Sequence, residues 1–180
     1  MAAFDPERCV FGDERGTHLA HTRAYDRAPR GERAVGRVPH HRGRVTTLLA
    51  GLTPAGMGPA RTWTGGTTKD AFLAYLREDL APTLQPGKVV ILDHLGAHQP
   101  RDVRARIAGR GARLVDLPAS SPDFNPIETA FGMLKAQLRR VETRTCEALA
   151  VAIHEALAAV SPAASRGFST HCGFLLPDQS

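Results

Sequence analysis

Val-Val-Ile-Leu-Asp at 89–93 and Ser-Pro-Asp-Phe-Asn-Pro-Ile-Glu at 121–128 decide how this chain folds. Four consecutive apolar residues ending on a carboxylate read as a strand buried on both faces, with Asp93 at its carboxyl edge. The second stretch reads as a turn feeding a helix, with Asn125 as N-cap, Pro126 at the first helical position and Glu128 in the first turn. Thirty-four residues separate Asp93 from Glu128, room for a compact α/β unit. Open α/β sheets bind ligands beyond the carboxyl ends of their strands. With Asp13 near the start, three acids are expected at one end of a sheet.

Outward from these stretches, the pattern is strands first, then helices alternating with strands. Cys-Val-Phe-Gly (9–12) fits a first strand leading into Asp13-Glu14, and residues 17–23 are expected to pair back as a second. A Pro/Gly/Arg-rich loop follows to about residue 43. Residues 44–52 carry β-branched character and end at the turn signal Thr-Pro-Ala-Gly; residues 60–64 give one more short strand. From Thr67 the apolar period changes to about 3.6, through Phe72, Leu73, Leu76 and Leu80. Helices are predicted over 100–109, 126–140 and 145–160, with a strand over 113–117. The fold class expected is α/β, a mixed sheet of an antiparallel meander plus parallel strands flanked by helices. Residues 1–160 are expected to form one domain, and 161–180 an irregular tail.

Composition narrows the class of protein. A hydrophobic content of 42% and a charged content of 23% are ordinary for a soluble globular chain. No apolar run reaches the roughly 18 residues that span a bilayer, and the amino terminus lacks the apolar core of a signal peptide, so a cytoplasmic location without membrane contact is expected. Cys9, Cys146 and Cys172 have no metal-ligand spacing and read as reduced thiols. The net charge of +5 favours a polyanionic partner. Seven arginines lie between Arg23 and Arg44 against only Asp26 and Glu32. A DNA-facing segment there, with Arg27, Arg30, Arg33, Arg37 and His40 as contacts, is weighed against a merely solvated loop.

Each acid also has an ordinary structural reading. Asp93 can simply cap the turn Asp-His-Leu-Gly. Glu128, three residues after Asn125, can close a capping box on the Asn125 amide. Asp13 can be a turn carboxylate, with Glu14 competing for any role. Taken together, three acids from different elements suit a pair of divalent cations about 4 Å apart, which activate a water or hydroxyl and stabilise the leaving oxygen of a phosphodiester. Hard oxygen ligands favour Mg²⁺. For His98, contact with the scissile phosphate or with a water is the minority reading, and for Lys135, two turns along the Glu128 helix, contact with backbone phosphate stands second to a solvated face. Metal ligation by His94 and His98 is a weaker alternative, and His18, His21, His154 and His171 are left as surface or core residues.

These motifs resemble the catalytic domain of DDE transposases from the mariner-related group of bacterial insertion sequences. The most specific part is Leu-Pro-Ala-Ser-Ser-Pro-Asp-Phe-Asn-Pro-Ile-Glu (117–128), followed by Phe131 and Leu134-Lys135. Val-Ile-Leu-Asp-His-Leu-Gly-Ala-His (90–98) is similar to the family's second-acid motif, and Val-Phe-Gly-Asp-Glu (10–14) to its first. The resemblance implies a ribonuclease-H-like fold, with Asp13, Asp93 and Glu128 as the metal-binding triad for Mg²⁺ or Mn²⁺, two ions in all. It implies cleavage of double-stranded DNA at element ends, then attack of the freed 3′-hydroxyls on target DNA. A homodimer in the DNA complex is implied, as is a helix-turn-helix module that is separate or missing. The sequence departs from the family pattern at His94, where Asn is usual, and at Ala119-Ser120, where Pro-Tyr is common. Two further readings stand beside this one: a catalytically inactive DNA-binding remnant, and a metal-dependent phosphoester hydrolase using Asp93, His94 and His98.

Overall fold

In the computed structural model, the described residues are 5–23, 25–93, 100–118 and 121–174. They form a five-stranded sheet in the order β3-β2-β1-β4-β5. The strands are β1 (Cys9–Thr17), β2 (Thr46–Thr53), β3 (Gly56–Thr64), β4 (Val89–Leu92) and β5 (Arg113–Asp116). β1, β2 and β3 pair antiparallel, while β4 lies parallel to both β1 and β5. This is the mixed sheet expected from the order of apolar patterns.

Alternation along the strands sorts side chains into two cores. Cys9, Phe11, Ala50 and Ile91 join Ile127, Phe131, Leu149 and Ile153, so helices α3 (Pro126–Val141) and α4 (Cys146–Ala158) cover one face. Val10, Leu49 and Val90 join Phe72, Tyr75, Val103 and Ile107, so α1 (Lys69–Tyr75) and α2 (Pro100–Ala108) cover the other. Thr68 caps α1 by accepting the Ala71 amide at 3.2 Å. Among the described residues no single helix is long and apolar enough to cross a membrane.

Three expectations are corrected. Residues 17–23 do not form a second strand: β1 runs on to Thr17, and its antiparallel partner is β2. The carbonyls of Leu19 and His21 instead accept from the Arg144 guanidinium, at 3.3 and 2.9 Å. The tail from Ser161 is not irregular, since Pro162–His171 form a helix, α5. Ser161 caps it by accepting the Ala164 amide at 3.2 Å, and Pro162 opens it. Ser165 and Ser169 are fully buried in α5, and the Ser165 hydroxyl donates to the Thr53 carbonyl, tying the helix to the sheet. Asp13, finally, sits inside a strand, not in a turn.

The described part of the arginine-rich loop, 18–23 and 25–45, has neither helix nor strand. Its neck is closed by the Leu19 amide donating to the Arg42 carbonyl at 3.1 Å. The neck is tied to the α3–α4 turn, where Glu142 adopts a left-handed backbone (φ 54°) at the end of α3. Glu142 Oε1 accepts the Arg23 amide at 3.1 Å, and Glu142 Oε2 accepts from Arg144 at 3.2 Å.

Candidate active site

The register of two neighbouring strands brings the first two acids together. β1 and β4 run parallel, and their last matched pair is Gly12 with Leu92. A Cβ on Gly12 would lie 2.6 Å from Leu92 Cδ2, so a larger residue there would require the end of the Leu92 side chain to move. One residue further on each chain stand Asp13 and Asp93. Phe11 and Ile91, two residues earlier, both point into the α3 core, so alternation sends both acids toward α3. Adjacent strands lie about 4.8 Å apart, which sets the scale of the gap.

Glu128 arrives from the first turn of α3. The capping box is not made: the Asn125 side chain forms no cap bond, and its amide already donates to the Pro122 carbonyl at 2.9 Å. The Glu128 carboxylate faces β1 instead. Its Oε2 lies 3.5 Å from Arg15 Nη1, both side chains being about one-third exposed. Asn125 is 2% exposed, and its Oδ1 has no hydrogen-bond partner.

The electrostatics tie the three acids to one place. The Asp13 carboxyl is pushed up from 3.8 to about 7. Burial is the main cause; the charges of Glu128 and Asp93 and a hydrogen bond shared with Glu128 add to it. Only the Glu14 amide, donating to Asp13 Oδ1 at 2.7 Å, works the other way. Burial and the neighbouring carboxylates together disfavour a negative charge on Asp13. A divalent cation would relieve the same repulsion, and the all-oxygen donor set fits Mg²⁺ or Mn²⁺. Among the described residues no three acid, His or Cys side chains stand as a ready-made metal cage.

A family model for the DDE superfamily endonuclease matches residues 8–150, which include all three acids and more than half of the chain. The chain belongs to the DDE superfamily endonucleases. Solved structures similar to this DDE endonuclease include the pre-cleavage Mos1 transpososome, with a TM-score of 0.68 and 18% identity, covering 94% of this chain and 53% of that one. The Mos1 strand transfer complex gives 0.67 and 20%, covering 93% and 51%. The isolated catalytic domain of Mos1 mariner transposase gives 0.56 and 16%, covering 93% and 76%. These likenesses place the endonuclease in the ribonuclease-H-like fold of the Mos1 catalytic domain. The chain spans about half the length of the Mos1 chains in the DNA-end complexes. No curated protein sequence matches it significantly.

The remaining expected site residues of the endonuclease are dispersed. Arg27, Arg30, Arg33, Arg37 and His40 are exposed on the loop, and no described ion pair or hydrogen bond joins them to the acids. His94 and His98 lie outside the described residues. Lys135 lies on the same side of α3 as Glu128, lining a cavity with Arg15. Arg15, His18 and His21 were not anticipated as part of any site. No local pattern flags Arg15; only with β1 running on to Thr17 do Phe11, Asp13, Arg15 and Thr17 alternate and so share the α3 face.

Proposed function

We propose that this DDE endonuclease is the catalytic domain of a mariner-related transposase, which cuts DNA at insertion-sequence ends and transfers the strands to a target. Asp13, Asp93 and Glu128 hold Mg²⁺ or Mn²⁺, two ions in all. Bound there, the cations supply activation of the attacking water or hydroxyl and charge neutralisation at the leaving oxygen. The carboxylates of β1, β4 and α3 come from three rigid elements, which keeps them in place while DNA is gripped elsewhere. Arg27, Arg30, Arg33, Arg37 and His40 on the loop, with His98 and Lys135, contact the DNA backbone. Two ends handled together call for a homodimer on DNA, and recognition of the ends for a helix-turn-helix module outside this catalytic domain. The Mos1 relatives include paired-end complexes with Mg and with Mn, which supports both the cation and the paired assembly.

The observation that carries this reading is the half-buried Asp13 carboxyl, set one residue past the Gly12–Leu92 pair as Asp93 is and perturbed by Glu128 and Asp93 together. A duplex bearing the element's own ends, incubated with Mg²⁺ or Mn²⁺, tests it by comparing wild type with Asp93→Asn. Cleavage lost in the variant is expected; undiminished cleavage refutes the site. The lack of a ready-made three-ligand cage among the described residues favours a second reading, a catalytically inactive DNA-binding remnant. Titration with Mn²⁺, followed by paramagnetic broadening, separates the two: broadening centred on Asp13 and Glu128 supports the enzyme, and none supports the remnant.

A further inference from the structure

At the start of α3 a recess adjoins the acid site, between the turn Pro122–Phe124 and the end of α5. Its volume is about 490 Å³, within the range of small-molecule sites. Asp123 and Asn125 line it from the turn, Glu128 and Thr129 from α3, and His171 and Cys172 from α5. The end of α5 is anchored there by Phe174, whose ring packs edge-on against the buried Phe11 of β1, with centres 4.8 Å apart. The Cys172 thiol is pushed up first by burial and then by the Asp123 charge, so that carboxylate lies close to α5.

Acceptors dominate this lining. Asp123 and Glu128 bring carboxylates, and Asn125, 2% exposed, brings an Oδ1 with no hydrogen-bond partner. An unpaired buried acceptor is costly, and a donor on a ligand would satisfy it. A helix start ordinarily attracts anions, but this one has little to offer. Pro126 has no N–H, the Asn125 amide donates to the Pro122 carbonyl at 2.9 Å, and the Glu128 amide to the Asn125 carbonyl at 3.0 Å. The rest of the lining is neutral, including the Thr129 hydroxyl and the Cys172 thiol, which its raised value keeps protonated. An uncharged ligand carrying a hydrogen-bond donor is the complement. Phe124, between Asp123 and Asn125 on the turn, is 41% exposed. An exposed aromatic ring beside a nucleic-acid site is a stacking surface for a base.

We propose that the recess takes the unpaired terminal base of a cut DNA end, adenine or cytosine, its exocyclic amino group donating to Asn125 Oδ1 and Asp123 and its ring stacked on Phe124. This rests on the proposed DNA reading and adds to it a preference for particular bases at the cut. A strand that finishes on a 3′-hydroxyl brings no terminal phosphate against Asp123 and Glu128. Adenine and cytosine each carry an amino donor, whereas guanine and thymine present the O6 and O4 acceptors in its place. Such an oxygen would face the Asp123 carboxylate and leave Asn125 Oδ1 unpaired.

The test reads equilibrium binding in EDTA, where nothing is cut. The full chain is titrated with labelled duplexes that differ only in one unpaired 3′ nucleotide, which carries adenine, cytosine, thymine or a purine without the amino group. Adenine and cytosine ends are expected to bind about tenfold tighter than thymine and bare-purine ends, the scale of a hydrogen bond to a charged group. Asn125→Ala and Asp123→Ala should each shrink that ratio toward one; Asp123 is exposed, so its removal leaves the fold intact. Phe124→Ala should weaken all four ends by about tenfold relative to a blunt duplex, and Phe124→Trp should restore them. Equal binding of the four ends, or a base preference unchanged in both Asn125→Ala and Asp123→Ala, overturns the inference and leaves the DNA reading in place. A chain that binds no duplex at all overturns the DNA reading and the inference with it.

Discussion

Replacing Asp13 by Asn is expected to make the metal-free protein more stable at neutral and higher pH, an unusual result for a half-buried polar residue. Asn keeps an Oδ1 for the Glu14 amide, now 2.7 Å from the carboxylate, and adds an amide donor toward Glu128. What it removes is a negative charge that the fold opposes. The Asp13 carboxyl titrates at about 7 in the native protein against 3.8 for the free side chain. An acid with a raised folded value binds more protons in the native state over that interval. Its favourable contribution is whole below about pH 4 and is lost as pH rises through 7. The full difference corresponds to about 4 kcal/mol, and water reaching the open side of the site reduces this to about 2 kcal/mol. Urea unfolding in EDTA measures it: Asp13→Asn should gain about 2 kcal/mol over wild type near pH 8 and almost nothing near pH 4. Added Mg²⁺ should stabilise wild type and leave the variant unchanged. A variant equally or less stable than wild type at both pH values would refute the account of Asp13 as a destabilised, cation-awaiting carboxylate.

Other outcomes follow from the same geometry. His21, held down to about 4 chiefly by burial, binds fewer protons when folded, so its contribution is whole above about pH 6.5 and is lost as pH falls toward 4. This slope opposes that of Asp13 over the same window, so Asp13→Asn should expose a steeper acid lability, read from unfolding midpoints. Phe131→Ala, in the core beneath α3, should cost about 3–5 kcal/mol in urea unfolding. Glu142→Gly keeps a backbone suited to the left-handed end of α3 and should change stability by less than about 0.5 kcal/mol. It should nonetheless speed hydrogen exchange of the Arg23 amide, whose acceptor it removes.

The sequence disclosed the centre of this molecule better than its margins. β4 and the start of α3 were legible because a continuous apolar run and an Asn-Pro start carry their structure locally. β1 beyond Gly12 was not, since Asp-Glu-Arg-Gly has little strand character of its own. Pairing with β2, whose residues Thr46–Leu52 are all buried, makes it a strand. The capping box between Asn125 and Glu128 failed for a related reason, because the short turn at Pro122–Phe124 had already taken the Asn125 amide. α5 was hidden by its serines, which look like loop residues until they are seen buried against the sheet. Arg144 binding the carbonyls of Leu19 and His21 joins parts of the chain more than a hundred residues apart, which no local pattern records.

Glu128 and Lys135 ride on one rigid rod, and that limits how this segment can vary. Inserting a single residue between them would swing the lysine about 100° around the rod and out of line with the glutamate. Substitutions among the intervening positions leave that phase intact. Insertions and deletions there would also turn the buried Phe131 and Leu134 out of phase with Leu138, so site and core are disturbed together.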